Sequence, residues 1–221
     1  MCNIIICGPN GCGKTTLGKT LAKKLDYIHK DIESYYFVAS PNGGSTDYKY
    51  DKPRSKAEVV QALEKDFYRA KNDSSSPNSN SKVQQNNNLI FTACKGDYGN
   101  IEDFIDIAIY INIDKDARLK RVRQRSINQF GDRAQEGGDL YEKELQFFNM
   151  VKNRNEAEFR AWFDELDCKT KIELDGNKTV EDNVLQVIRV LKEMNDRAQF
   201  NSSKTIKSNN IERSDSQRWS T

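Results

Sequence analysis

The stretch GPNGCGKT at residues 8–15 decides the fold, because it satisfies the pattern G-x-x-x-x-G-K-[ST] at every required position. The apolar run Ile4–Cys7 before it predicts a buried strand, and Leu17, Leu21 and Leu25 after it recur at helical spacing. Glycines let backbone N–H groups point at a phosphate, and the start of a helix favours an anion. The stretch therefore predicts a phosphate-binding loop.

This loop predicts a site for Mg²⁺ and ATP. Lys14 is expected to reach the β- and γ-phosphates, and the hydroxyl of Thr15 is expected to bind Mg²⁺. The sequence has neither the Asn-Lys-x-Asp guanine reader of a GTPase nor the Asp-Glu strand end of a motor ATPase. The predicted nucleotide-binding residues are Gly8, Pro9, Asn10, Gly11, Cys12, Gly13, Lys14, Thr15 and Thr16.

Strand patterns alternate with helix patterns along the chain, which predicts βαβ units in a parallel sheet covered on both sides. The predicted class is an α/β, doubly wound sheet of five strands, with ligands beyond the carboxyl ends of the strands. Strands are predicted at residues 1–7, 27–29, 89–93, 107–113 and 171–174. Helices are predicted at residues 14–25, 55–71, 115–130, 139–163 and 180–194.

One domain is predicted over residues 1–199, with a lid region at 126–138. The Ser/Asn/Gln-rich segment 72–88 predicts a disordered insertion, and the polar segment 200–221 predicts a disordered tail. The net charge of +2 gives no reason to expect a nucleic-acid or membrane partner. No apolar run approaches the length that spans a bilayer, so a cytoplasmic location is expected.

Charged residues near the predicted strand ends are candidates for catalysis. Asp31 follows the second strand, where its carboxylate can face the acceptor or the metal; alternatively, it caps the following turn. Arg118, Arg121 and Arg125 recur at i, i+3 and i+7, so they share one helical face. Arg121, Arg125 and the lid residue Arg133 are predicted to contact phosphate. The alternative for this basic helix is a solvated face.

Further residues are candidates for the cleft or for the core. Arg154 and Arg160 of the predicted helix 139–163 are candidates to line the cleft, although Arg160 fits a solvated position equally well. Trp162 lies on the apolar stripe of that helix and is predicted to be core. His29, the sole histidine, is assigned to packing or turn chemistry.

With these residues in place, the chain resembles the P-loop kinases related to nucleoside monophosphate kinases and shikimate-type kinases. The resemblance implies strand order 2-3-1-4-5, Mg·ATP as donor and a lid that closes with arginines over the phosphates. Arg121 and Arg125 match the arginine pair at the lid start, Asp31 matches the acidic residue after strand two, and Asp97 would lie near the metal. The segments that carry it are GPNGCGKTT, HKDIESYYF, CKGDYG and RLKRVRQRSINQFGDRAQEGGDLYE.

The predicted activity is an ATP-dependent phosphotransferase that acts on a nucleotide, a nucleoside or another small molecule. The lid is short and lacks zinc cysteines, and the segment SPNGGSTDYKYDKPRS matches no acceptor-site pattern. The acceptor therefore stays unidentified, and a monomer and a homodimer are both open. The alternative is an ATPase, or a nucleotide-dependent regulatory or binding module with no small-molecule acceptor.

Overall fold

Five strands of the chain form one sheet. The computed structural model describes residues 2–37, 53–73, 88–96 and 98–216. All the strand pairs are parallel, and the order is 2-3-1-4-5, which confirms the predicted doubly wound sheet. The strands are β1 (Ile4–Cys7), β2 (Ile28–Asp31), β3 (Leu89–Ala93), β4 (Ile107–Asn112) and β5 (Thr170–Asp175).

Helices connect the strands, as a parallel sheet requires. Two short 3₁₀ segments, Gly99–Phe104 and Gly131–Ala134, precede β4 and follow the fourth helix respectively. The α-helices are α1 (Lys14–Leu25), α2 (Ile32–Tyr36), α3 (Lys56–Asp73), α4 (Lys115–Phe130), α5 (Tyr141–Asn153), α6 (Glu156–Glu165) and α7 (Val180–Ser216).

The central strand β1 is buried along its whole length, as expected for a strand between two layers of helices. On one face, Phe91 of β3 belongs to a core cluster that includes Leu63 and Phe67 of α3 and Phe163 of α6. Successive side chains of a strand point to opposite faces. Thr92 therefore points to the other face, where Gly18 of α1 lies close to it.

The single long helix predicted at 139–163 is wrong, because α5 ends at Asn153 and α6 begins at Glu156. The Oδ1 atom of Asn155 accepts a hydrogen bond of 3.1 Å from the backbone N–H of Ala157. Such a cap replaces a continuing helical hydrogen bond and starts a new helix. The break brings Arg154 out of a regular helix.

Residues Met1–Val180 form one compact unit and Glu181–Thr221 a second. In the second unit, α7 continues to Ser216, although the sequence predicted that a disordered tail begins at residue 200. Residues 180–216 contain neither Gly nor Pro, so no strong helix breaker interrupts them. Residues 217–221 of the tail and 74–87 of the predicted insertion lie outside the described residues, while residues 72 and 73 belong to α3.

Candidate active site

The predicted phosphate loop connects the end of β1 to the start of α1 and packs against α4. Gly11 has a φ of 86°, and a Cβ atom there would lie 2.4 Å from the carbonyl oxygen of Arg118 and 2.8 Å from Val122 Cγ2. Gly13 has a φ of 105° and directly precedes α1. Both glycines thus give the loop a shape that other residues rarely adopt.

Lys14 lies over the loop. Its Nζ atom donates hydrogen bonds to the carbonyl oxygens of Gly8, at 2.8 Å, and Pro9, at 3.0 Å. The Cys12 thiol lies 4.0 Å from the same Nζ atom. Burial raises the pKa of this thiol, although the charge of Lys14 partly opposes the shift. Cys12 therefore leaves the positive charge of Lys14 available for an anion at neutral pH.

Thr15 and Asp31 meet at the carboxyl edge of the sheet. Thr15 Oγ1 donates a hydrogen bond of 2.6 Å to Asp31 Oδ2. Asp31 Oδ1 accepts a second hydrogen bond, of 3.0 Å, from the backbone N–H of Glu33 and so caps α2. The capping alternative for Asp31 is thus observed, together with a contact to the phosphate loop.

These two residues fit Mg²⁺. A hydroxyl and a carboxylate oxygen are the hard oxygen ligands that Mg²⁺ takes, and it commonly binds one or two protein groups plus phosphates and water. Thr15 and Asp31 bring both kinds of oxygen to one point beside the loop. In the described part of the chain, no group of three or more His, Cys, Asp and Glu side chains could hold a metal ion.

Two residues of the sheet extend this contact. Thr92 Oγ1 donates to Asp31 Oδ2 at 3.0 Å, and His29 Nε2 lies 3.1 Å from the same Thr92 oxygen. Burial lowers the pKa of His29, although the charge of Asp31 partly opposes the shift. Because Thr15 donates to that Asp31 oxygen as well, one hydrogen-bonded chain runs from His29 to the phosphate loop.

The arginines of α4 do not share one surface. Arg118 is fully buried and forms an ion pair with Glu156, with Arg118 Nε at 2.8 Å from Oε1. Arg121 Nη2 donates a hydrogen bond of 3.0 Å to the carbonyl oxygen of Gly176, just beyond β5. Arg125 is exposed. The predicted phosphate contacts of Arg121 and Arg125 stay predictions.

Arg133, a residue of the predicted lid, lies in a two-pronged ion pair with Asp139. Its Nε and Nη2 atoms lie 2.9 Å and 2.8 Å from the two carboxylate oxygens. Both side chains are about half exposed or more, at 47% and 62%. The predicted role of Arg133 on phosphate stays a prediction. Asp97, the second predicted metal ligand, lies outside the described residues.

A cavity of about 570 Å³ opens between the segment after β3 and helix α6. Its wall combines cations, carboxylates and aromatic rings. The rings of Tyr98 and Trp162 pack edge to face with centroids 5.8 Å apart. The residues that carry the charges and rings are Lys95, Tyr98, Glu102, Arg154, Glu158, Phe159 and Trp162.

Arg154 joins this cavity to the phosphate loop, because its Nη1 atom donates a hydrogen bond of 2.8 Å to Asn10 Oδ1. Cys94, next to the cavity residue Lys95, has its Sγ atom 3.9 Å from the same oxygen. Arg160, the other predicted cleft arginine, instead pairs with Asp164 and Glu173 on the surface. The cavity therefore lies directly beside the tip of the loop.

Comparison with known sequences identifies the family. The family model AAA_18, described as an AAA domain, matches residues 4–158, a span that includes the phosphate loop, Asp31 and Arg154. The chain belongs to the AAA_18 family. The family match and the sheet order confirm the resemblance to P-loop kinases.

Relatives of this AAA_18 chain include a protein that matches it over nearly the whole length. The uncharacterized protein YqaC of Bacillus subtilis is 26% identical over 198 residues, covering 86% of this chain and 97% of that protein. A cytidylate kinase of Citrifermentans bemidjiense is 36% identical over 66 residues, which cover 30% of this chain and 28% of the kinase. The shikimate kinase structure from Aquifex aeolicus has a TM-score of 0.45 and 16% identity, covering 86% of this chain and 96% of that one.

Several site residues of this AAA_18 chain escaped the sequence analysis. One feature of the sequence could have indicated Thr92, since it is the only polar residue in the strand LIFTA. Tyr98 lies in the quoted segment CKGDYG but received no role, and Trp162 was assigned to the core although it also lines the cavity.

Among the described residues, no helix is both long and apolar enough to cross a membrane.

Proposed function

We propose that this AAA_18 protein is an ATP-dependent phosphotransferase that moves the γ-phosphoryl group of Mg·ATP to a small molecule bound in the cavity beside the phosphate loop. The observation that carries the proposal is the hydrogen bond between Arg154 and Asn10. One residue there belongs to the cavity wall and the other to the loop. An ATPase without an acceptor needs no such cavity, whereas a transferase needs one next to the reacting phosphate.

On the donor side, the loop amides and Lys14 bind the β- and γ-phosphates. Lys14 exchanges the carbonyl oxygens of Gly8 and Pro9 for phosphate oxygens when the nucleotide enters. Thr15 and Asp31 hold the Mg²⁺ ion, which neutralises charge on the phosphates when it is bound. Because Asp31 Oδ2 accepts the hydrogen of Thr15, whose hydroxyl the loop pattern assigns to the metal, the metal-side role of Asp31 has the stronger support.

On the acceptor side, the chemistry of the wall favours a small molecule with an anionic group. Arg154 and Lys95 place two cations there, while the ion pair of Lys95 with Glu158, at 2.7 Å, neutralises part of that charge. Tyr98 and Trp162 offer ring surface for the apolar part of the acceptor. An acceptor-side role for Asp31 stays a prediction.

In the reaction, the acceptor oxygen forms a bond to the γ-phosphorus while the bond from that phosphorus to the β–γ bridging oxygen breaks. ADP leaves with the bond electrons, and the proton of the acceptor passes to an oxygen of the transferred phosphoryl group. Arg121, Arg125 and Arg133 approach the transferring group when the lid closes. Their fixed positive charge stabilises the phosphoryl oxygens and their closure excludes water, which is a competing acceptor.

The proposal is tested by measuring ADP formation from Mg·ATP with panels of nucleosides, nucleotides, sugars and hydroxy acids. We expect at least one anionic acceptor to stimulate ADP formation and to appear as a phosphorylated product by mass spectrometry. Lys14→Ala should abolish the activity, whereas Lys24→Ala, on the exposed last turn of the same helix, should retain it. ADP formation that no acceptor stimulates would support the ATPase alternative, and no turnover with intact ATP binding would support a binding module.

A further inference from the structure

Thr92 occupies an unusual place for a polar residue. It lies on β3, between the apolar residues Phe91 and Ala93, and only 1% of its surface is exposed. Burial of a hydroxyl without a hydrogen-bond partner costs free energy of folding. The hydrogen-bond partners of Thr92 therefore explain how it is accommodated in the core. Its Oγ1 atom lies 3.0 Å from Asp31 Oδ2 and 3.1 Å from His29 Nε2.

The direction of these hydrogen bonds follows from the donors available. A threonine hydroxyl carries one hydrogen, and the Asp31 carboxylate can only accept. Thr92 therefore donates its hydrogen to Asp31, since its other acceptor, the carbonyl oxygen of Lys30, lies farther away at 3.5 Å. His29 in turn donates from Nε2 to Thr92, which assigns the hydrogen of the imidazole ring to that nitrogen.

A glycine in α1 lets this helix pack closely against the hydrogen-bonded residues Thr92 and His29. Gly18 lies one turn after Thr15, and a Cβ atom on Gly18 would lie 2.7 Å from Thr92 Cγ2 and 2.8 Å from His29 Cδ2. Real Cβ atoms do not approach other atoms so closely. Glycine at this position lets α1 lie directly on the pair, so Asp31 receives one hydroxyl from the helix and one from the sheet.

We propose that Thr92, supported by His29, is a positioning residue for the magnesium site. It holds Asp31 Oδ2 in the place where that oxygen accepts the hydrogen of Thr15. With its hydrogen directed to Asp31, the Thr15 hydroxyl keeps its lone pairs free for the metal. This inference rests on the proposed function only in that Thr15 and Asp31 are the residues that hold Mg²⁺.

The inference is tested by equilibrium binding, with no acceptor and no turnover. Thr92→Val keeps the side-chain shape and removes the hydroxyl. We expect the Kd of Mg²⁺, titrated calorimetrically into the protein saturated with a non-hydrolysable ATP analogue, to rise about tenfold, since hydrogen bonds to charged groups are worth roughly this factor. The Kd of the analogue measured in EDTA should change less than about twofold, because the hydrogen bonds of Thr92 join Asp31 and His29.

Two further variants make the outcome decisive. Thr92→Ser restores the hydroxyl and should return the Mg²⁺ Kd close to that of the unchanged protein. Thr170→Val makes the same substitution at the start of β5, an edge strand three strands away from β3, and should leave both constants unchanged. Thermal unfolding of each variant confirms that it folds.

Other results would overturn the role of Thr92, the proposed function or both. An unchanged Mg²⁺ Kd in Thr92→Val would overturn the inference and leave the proposed function standing. Equal losses of Mg²⁺ and metal-free nucleotide affinity, or no recovery in Thr92→Ser, would show a packing role and overturn it as well. A parent protein that binds no nucleotide under any condition would overturn the proposed function and this inference together.

Discussion

Arg154 Nη1 and Asn10 Oδ1 are 2.8 Å apart, although the two residues are separated by 144 positions in the sequence. Asn10 lies at the tip of the phosphate loop, and Arg154 lies in the break between α5 and α6. A guanidinium has several N–H donors, so Arg154 can keep this contact while it offers others to a ligand in the cavity. One side chain therefore links the phosphate loop to the cavity that we propose for the acceptor.

Removal of this side chain is expected to impair transfer more than nucleotide binding. In Arg154→Ala, we expect kcat/KM for the acceptor to fall about a hundredfold, the usual cost of losing one well-placed donor in an active site. The Kd of ATP should change only a few fold, because Lys14 and the loop amides remain. Steady-state kinetics and nucleotide titration measure the two effects.

The control for this change is Arg160→Ala. Arg160 lies on α6 but pairs with Asp164 and Glu173 outside the cavity. Its removal should leave kcat/KM for the acceptor within about twofold of that of the unchanged protein, as is usual for exposed ion pairs. Equal kinetic losses in the two variants would contradict the assignment of Arg154 to the site.

The contact between Gly11 and α4 predicts that no side chain is tolerated at this position. Gly11→Ala combines a φ of 86° with a Cβ atom 2.4 Å from the Arg118 carbonyl oxygen. We expect it to lower the free energy of unfolding by about 2–5 kcal/mol, from left-handed strain and from steric overlap together. Urea unfolding measures the loss, and ATP affinity should fall with it.

Gly137 offers a matched comparison, because its φ is 87° and no atom lies within 4 Å of a Cβ atom built there. Gly137→Ala carries the backbone strain alone and should cost about 1–2 kcal/mol. The difference between the two variants isolates the contact with α4. If both variants unfold at the same urea concentration, that contact is not restrictive.

The ion pair of Arg133 with Asp139 predicts that the lid can release its arginine easily. Both side chains are largely exposed, so the pair contributes little to stability and Asp139→Asn should unfold at the same temperature as the unchanged protein. Freed from the carboxylate, Arg133 should reach phosphate more readily. The KM for ATP should therefore fall a few fold, which corresponds to roughly the free energy of one exposed ion pair. Arg133→Ala should instead lower kcat. A fall in kcat of the same size in Asp139→Asn would show that the ion pair belongs to the active arrangement.

The buried ion pair of Arg118 with Glu156 predicts a large effect on stability. In Glu156→Ala, the fully buried guanidinium loses its partner, which should reduce the free energy of unfolding by on the order of 3 kcal/mol. Glu158→Ala, two residues along the same helix, removes the exposed partner of Lys95 and should not change the unfolding midpoint. Chemical unfolding of the two variants tests the difference, and a midpoint shift of equal size in both would argue against a special role for Arg118.

The sequence was sufficient to predict the sheet, because its signals are local. The apolar run Ile4–Cys7, the loop spacing and the helical leucines each concern neighbouring residues. The same edge rule placed Asp31 near the predicted cleft, but its hydrogen bond with Thr15 was not predicted, because Asp97 was assigned to the metal beside Thr15. The position of the loop between β1 and α1 was thus within reach of the sequence alone.

The cavity beside the loop was not predicted from the sequence, because it depends on how distant segments pack. The periodicity of residues 139–163 indicated one helix, and only the cap at Asn155 turns the chain so that Arg154 reaches Asn10. Similarly, the i, i+3, i+7 spacing placed Arg118 with Arg121 and Arg125 on one face. That spacing determines which residues are neighbours on the helix. It does not predict that Arg118 is buried in an ion pair with Glu156.

Gly18 shows how the site limits attempts to make the protein more robust. Glycine inside a helix costs roughly 0.5–1 kcal/mol relative to alanine, so replacement of such a glycine by alanine is a standard route to thermostability. At this position the replacement should not stabilise the protein, because the added methyl group would collide with Thr92 and His29. Directed evolution for heat resistance should therefore find its gains elsewhere in the chain and retain glycine here.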